Sequence, residues 1–213
     1  SMIDPTYTDS HLVVLCANAT GWKNMLALNH DAVLNGYFYK PRTTHDMVMQ
    51  HAEGLIATTA CLGSQFAAHF RRNDEKAMRR LLGKYKDAFG DRFFCELQVN
   101  ETDEQNAYNG ALLAQAKKLG IRPVLTNDVH YACACDAPRQ DEMVSVARHV
   151  KMNDEKYWKP GFRGLWFATA EDIFGWAKKR GYDLDRATWR QAARNTVEVA
   201  AMCDVDIYGD GAL

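Results

Sequence analysis

The sequence is bounded first by what it does without. None of its six cysteines sits in a Cys-x-x-Cys pair, so neither a disulfide framework nor a zinc knuckle is expected in a chain of this size. No apolar run approaches the roughly 18 residues of a membrane span, and no charged, apolar and small-residue leader opens the chain. Neither sign of charge is in excess, because 26 Lys and Arg stand against 27 Asp and Glu for a net charge of −1. There is no global field to draw in nucleic acid or an anionic membrane, so a nucleic-acid partner needs a local patch. Internal repeats and low-complexity linkers are also missing. The expectation is a soluble, cytoplasmic chain, whose 213 residues suffice for one domain or a large piece of one.

What is present is an alternation of strand and helix. Residues 1–10 read as a leader, in which Ser1-Met2 has the form of a protease-cleavage remnant before an initiator methionine. Leu12 to Ala17 is a continuous apolar run, the pattern of a strand buried on both faces. Thr20 then caps a helix that ends at Gly36, and Thr44 opens a shorter one closed by Gly54. Further strands are expected at Leu55–Ala60, Phe93–Leu97 and Ile121–Leu125. Between them, Ser64 and Asn73 or Asp74 start helices, and Thr102-Asp103-Glu104-Gln105 has the form of a capping box. Four such alternations imply an α/β fold with a mostly parallel sheet and outer helices over residues 11–150. Residues 151–213 read as a helical C-terminal part, with a short extended piece at Leu165–Phe167, a helix capped by Thr169 and Asp172, and a last helix from Asp183 or Asp185.

The stretch with the most chemistry is Thr126-Asn127-Asp128-Val129-His130-Tyr131. Asp128 and His130 are two residues apart, a spacing that puts both side chains on one face if the strand continues. They would emerge at its carboxyl end, where α/β folds place ligands. They read as half of a metal site, or more plainly as a turn-capping carboxylate and a hydrogen-bonded core histidine. Cys61 leaves its strand just before a glycine turn, which suits ligation, and His11 stands at the entrance of the first strand. Cys133 and Cys135 form only a Cys-x-Cys pair, a minor zinc candidate. The other cysteines read as small core residues. Glu96, inside an apolar strand, has to meet a cation, a metal or hydrogen bonds.

Two basic regions need a reading. The loop Tyr37-Phe38-Tyr39-Lys40-Pro41-Arg42 mixes three aromatics with two cations, so Tyr39, Lys40 and Arg42 can contact phosphate or stacked bases. The plainer alternative packs the aromatics on a neighbouring helix and leaves the cations in water. Arg71, Arg72, Arg79, Arg80, Lys84 and Lys86 are adequately explained as a solvated helix face.

The strings His11-Leu12-Val13-Val14-Leu15, Ala19-Thr20-Gly21-Trp22-Lys23-Asn24, Glu53-Gly54-Leu55-Ile56, Ala60-Cys61-Leu62-Gly63, Glu96-Leu97-Gln98 and Thr126 to Tyr131 resemble the PHP (polymerase and histidinol phosphatase) domain. More narrowly they are similar to the PHP domain at the amino terminus of the alpha subunit of bacterial DNA polymerase III, and Asn195 to Cys203 is similar to the helix that ends that domain. The resemblance implies part of a distorted (β/α)7 barrel with a multi-metal cluster of zinc, manganese or iron at the strand carboxyl ends. The family uses this cluster for phosphoester hydrolysis, in some polymerases as a 3′ to 5′ exonuclease. Carried over by position, His11 matches a histidine ligand, Cys61 stands where the family has histidine or cysteine, and Asp128 with His130 match the closing Asp-x-His.

The family begins with a His-x-His strand and further ligands, and none of them precedes His11 in this sequence. About half of the ligand set and the first strands would then be missing, leaving a sheet edge open to another copy. The polymerase carboxylates belong to a later domain, so no polymerase catalytic residue is expected here. The expectation is a metal-dependent phosphoesterase fragment of a replicative polymerase, with its activity impaired. It would partner the remainder of an alpha chain or other replisome subunits, with DNA as a further partner and no membrane. The alternatives are a non-catalytic scaffold and an independent small-molecule phosphatase.

Overall fold

The structure is a computed structural model that describes residues 9–100, 102–152, 164–182 and 185–207. Strand β1 (Val13–Cys16) leads into helix α1 (Ala19–Leu34), and the short helix α2 (His45–Gln50) precedes strand β2 (Leu55–Thr58). Helices α3 (Gln65–Arg71) and α4 (Glu75–Phe89), strand β3 (Phe93–Leu97), helix α5 (Asp103–Lys118) and strand β4 (Arg122–Leu125) follow. Three α-helices follow among the described residues, α6 (Ala137–Ala147), α7 (Ala170–Lys179) and α8 (Arg186–Met202).

The four strands form one sheet in the order β1-β2-β3-β4. Strands β2, β3 and β4 are parallel, as their connecting helices require, whereas β1 runs antiparallel to β2 with Val13 opposite Thr58 and Cys16 opposite Leu55. The described residues thus make an open, mostly parallel sheet, and closure into a seven-stranded barrel is not seen among them.

Local chemistry sets the helix ends. Asn18, rather than Thr20, caps α1, its side-chain oxygen accepting the Gly21 N–H at 3.0 Å. Thr44, Ser64 and Asp74 cap α2, α3 and α4 in the same way. At α5 Thr102 accepts from the Gln105 N–H, but the reciprocal arm is absent because the Gln105 amide bonds Asn100 and Asn109 instead. Thr169 and Asp172 make both arms of a capping box at α7, and Asp185 caps α8. Gly54 adopts a positive φ of 69°, and its carbonyl accepts from Ala17 while lying against Gly21, where a Cβ would come within 1.9 Å of it. Only glycine tolerates both demands, and the contact locks β1 and α1 against the start of β2.

Alternation along the strands divides the core between two faces. Leu55, Ala57, Phe93, Cys95, Leu97 and Leu125 enter the main core, packed with Phe66, Tyr85, Tyr108 and Leu112 of the covering helices. Ile173, Ala177, Trp189 and Ala192 join this same core, which ties the C-terminal helices to the sheet. On the opposite face Ile56, Phe94 and Val124 form a smaller apolar row against Val199 of α8. Asn195 on α8 donates to the Pro123 carbonyl at 2.6 Å, and Arg122 pairs with Glu198 while lying over the Phe94 ring. Strand β1 departs from expectation: Val13 and Leu15 are 39% and 37% exposed, because it is an edge strand and α8 covers only the far side of that face.

Candidate metal centre

The reversal of β1 builds the site. Because β1 runs against β2, its entrance lies at the carboxyl ends of β2, β3 and β4, where chain exits from the parallel strands also gather. His11 is held there by its N–H donating to the Gly63 carbonyl at 2.9 Å and by a bridge to Ser64. Its Nδ1 lies 3.3 Å from Cys61 Sγ. Nitrogen and sulfur ligands of one tetrahedral zinc stand about 3.5 Å apart, given bonds of about 2.0 and 2.3 Å, so this pair fits a shared ion. Burial is the main cause that pushes the Cys61 thiol up, the Gly63 N–H opposes it, and the carboxylates of Asp128 and Glu96 raise it further. The thiol therefore keeps its proton and donates it to His11 Nδ1, and a metal would take that proton's place.

Glu96 resolves the problem of a carboxylate inside an apolar strand through hydrogen bonds. One step beyond the apolar row, Thr58, Glu96 and Thr126 point to the same face from three adjacent strands. Both threonine hydroxyls donate to the Glu96 carboxylate, Thr126 at 2.6 Å, and Gln98 adds an amide N–H at 2.9 Å. Buried and surrounded by neutral donors, Glu96 remains an acceptor at the floor of the site.

Asp128 and His130 lie past the strand rather than in it. Strand β4 ends at Leu125, and Asp128 has a φ of 47°, so the shared-face argument from strand spacing does not apply. His130 instead folds back, its Nδ1 2.6 Å from the Asp128 carbonyl. A histidine that gives one ring N–H to a backbone carbonyl presents Nε2 as the free ligand nitrogen, the usual arrangement around metals. Asn127 positions this turn by donating to the carbonyls of Gly164 and Trp166 at 2.7 and 2.6 Å, and the His130 N–H reaches the Leu165 carbonyl at 2.8 Å. Sequence reasoning passed over Asn127, although it sits inside the quoted motif.

The structure thus brings His11 and Cys61 into contact, with Asp128 near enough to act on the thiol, while both Asp128 and His130 face solvent. Among the described residues, three His, Cys, Asp or Glu donors come within 4.8 Å of one another at Cys133, Cys135 and Asp136, not at these four. The cysteines also divide differently from expectation: Cys95 is buried, Cys16 and Cys61 are partly so, and Cys133, Cys135 and Cys203 are exposed.

The aromatic loop follows neither reading fully. Tyr37, Phe38 and Tyr39 are exposed, Tyr39 with a φ of 59° at the tip, so they do not pack on a helix. Lys40 and Arg42 both pair with Asp9, at 2.6 and 2.8 Å, and Arg42 also lies over the Phe38 ring. The lysine hydrogen bond holds the Asp9 carboxyl below its ordinary value. Beside the loop a cavity of about 1000 Å³ runs from Lys40 and Arg42 past His11 to His45, His69 and Tyr85.

A four-stranded, mostly parallel sheet with imidazole, thiol and carboxylate side chains at its carboxyl edge defines an α/β domain whose candidate site lies at the strand ends. Residues 2–100 match the family model of the PHP domain. Its sequence is 32% identical over 198 residues to DNA polymerase III subunit alpha of Thermus aquaticus, a match covering 92% of this chain and 16% of that protein. The same subunit is 32% identical over 204 residues in Treponema pallidum, covering 95% of this chain and 17% of the relative. In Aquifex aeolicus it is 33% identical over 193 residues, covering 89% and 16%. The chain therefore spans about one-sixth of the length of the curated relatives it matches.

Proposed function

We infer that this chain serves bacterial DNA replication as the PHP part of a DNA polymerase III alpha subunit, working in the cytoplasm with the remainder of that subunit and other replisome components. The observation that carries the metal-dependent reading is the His11–Cys61 contact at the carboxyl edge of the sheet. His11, Cys61, Asp128 and His130 would hold zinc, manganese or iron. When bound, such an ion supplies Lewis-acid polarisation of a phosphoryl oxygen and a water acidified toward neutrality. The chain's own residues do the rest: Glu96 with its threonine donors shapes the floor, and Asn127 holds the Asp128–His130 turn.

The cavity joining Lys40 and Arg42 to His11 supports a phosphodiester substrate, because it places two cations of the aromatic loop on one wall and a candidate ligand on another. Tyr39, Lys40 and Arg42 are the DNA contacts in this reading. Because the four donors do not converge in a single coordination sphere, hydrolysis by the chain alone should be weak. That same spread favours a second reading, a non-catalytic scaffold of the polymerase.

Metal content decides between the two. The first reading expects near-stoichiometric zinc, manganese or iron in the purified chain, lost in the Asp128→Ala, His130→Ala double variant. Unchanged metal content in that variant would remove the pair as ligands, and a metal-free parent chain would leave the scaffold.

A further inference from the structure

The exposed turn after Tyr131 carries donors that the His11–Cys61 centre does not use. Cys133 opens the single 3-10 turn Ala134–Asp136 that leads into α6, and its thiol and backbone N–H both point at Asp136. Cys133 Sγ lies 3.0 Å from Asp136 Oδ2, the Cys133 N–H donates to the same oxygen at 3.2 Å, and Arg139 Nη1 holds the other oxygen at 2.7 Å. The carboxylate is braced by Arg139 on one side and turned toward sulfur on the other. Cys135 brings its Sγ into the same group, so that two sulfurs and one oxygen lie within 4.8 Å of one another. Both cysteines are exposed, so packing does not account for them.

The Cys133 thiol donates its proton to Asp136 Oδ2. A thiol proton caught between sulfur and carboxylate occupies the position that a cation takes in a thiolate and carboxylate site. Two sulfurs with one carboxylate suit a borderline-soft ion such as zinc, whereas magnesium and calcium prefer all-oxygen sites. The short turn also fixes ligand spacing at the level of the backbone, and Arg139 supplies the outer partner that ligating carboxylates commonly have.

We propose that Cys133, Cys135 and Asp136 form a three-ligand site for a thiophilic divalent cation of the zinc class, independent of the His11–Cys61 centre. On binding, two metal–sulfur bonds and one metal–oxygen bond form. The two S–H bonds break, both protons pass to solvent, and no electron moves. Solvent water takes the fourth tetrahedral position.

Cobalt(II) is the probe, titrated into the whole chain under reducing, oxygen-free conditions, because thiolate-to-cobalt charge transfer gives a near-ultraviolet band that reports sulfur ligands. In the His11→Ala, Cys61→Ser background, which removes any sulfur band of the other centre, the expected result is a band that falls by about half on adding Cys133→Ser or Cys135→Ser and disappears when both are added. Asp136→Asn should weaken cobalt binding by at least about tenfold, the lower bound seen even for outer partners of metal ligands. A background chain without the band overturns the proposal, as does a band that survives loss of both cysteines in that background or cobalt affinity unchanged when Asp136→Asn is added to it. A far-ultraviolet circular dichroism spectrum matching the parent establishes that the serine variants remain folded. If the double variant unfolds, the Asp136→Asn affinity alone decides.

Discussion

A hydrogen atom at Gly63 leaves room for the His11 ring beside Cys61. A methyl group there would stand 3.0 Å from His11 Nδ1 and 3.2 Å from Cγ, tighter than most side-chain contacts, so the imidazole would have to shift by a few tenths of an ångström relative to Cys61. Gly63→Ala should therefore lower metal affinity by about 10–100-fold, the range for changes that disturb ligand orientation, while removing no ligand and burying no new surface. Metal per chain measured beside the thermal midpoint checks this, and unchanged metal content would show that His11 and Cys61 do not act together. Residues with ligand chemistry, His11, Cys61, Asp128 and His130, were legible in the sequence because each adjoins an apolar run. Gly63 and Asn127 were not, since their roles depend on which chain segment approaches them, the His11 ring in one case and the carbonyls of Gly164 and Trp166 in the other.

Between elements, a short polar contact at the margin of the main core joins α2 to α4. The Tyr85 phenol, pushed up by burial, keeps its proton and donates to His45 Nδ1, the two atoms 2.6 Å apart. Burial also pushes His45 down, against a smaller opposing effect of Asp46 and with help from His69 and Lys84. The folded chain refuses a proton that the unfolded chain accepts below about 6.5. Stability from this pair is thus fully present above that pH and falls as the pH drops from there through the lowered folded value. The thermal midpoint should decline between pH 7 and 5, and less steeply in His45→Phe; parallel curves would assign the decline to other groups. At this scale much was readable in advance. Thr44, Ser64, Asp74, Thr102, Thr169 and Asp185 cap their helices because a short polar side chain before an apolar stripe is a local signal. The partner strand is not local: the run Leu12–Ala17 reads alike for a central and an edge strand, so the exposure and the reversed direction of β1 appear only in three dimensions.

For the whole molecule, the outer edge of β1 is the exposed border of the sheet, and Val13 and Leu15 leave an apolar strip beside the part of the face that α8 covers. An edge of that kind recruits another strand. Light scattering should show a mass per particle that rises with protein concentration, and Val13→Lys with Leu15→Lys should return it to that of a single chain; a concentration-independent monomer in the parent would count against edge pairing. The sheet order has a kinetic consequence as well. Every strand is hydrogen-bonded to its neighbour in sequence, so the sheet can be assembled in chain order, each pairing waiting only for the helices that separate its two strands. The exception is the return of α8, where Asn195 reaches Pro123 and the Asp204 N–H reaches the Ala17 carbonyl at 3.0 Å. That clasp joins the two ends of the described residues and cannot form until nearly all of them have left the ribosome, so the sheet is expected to be built first and fastened only once α8 has emerged.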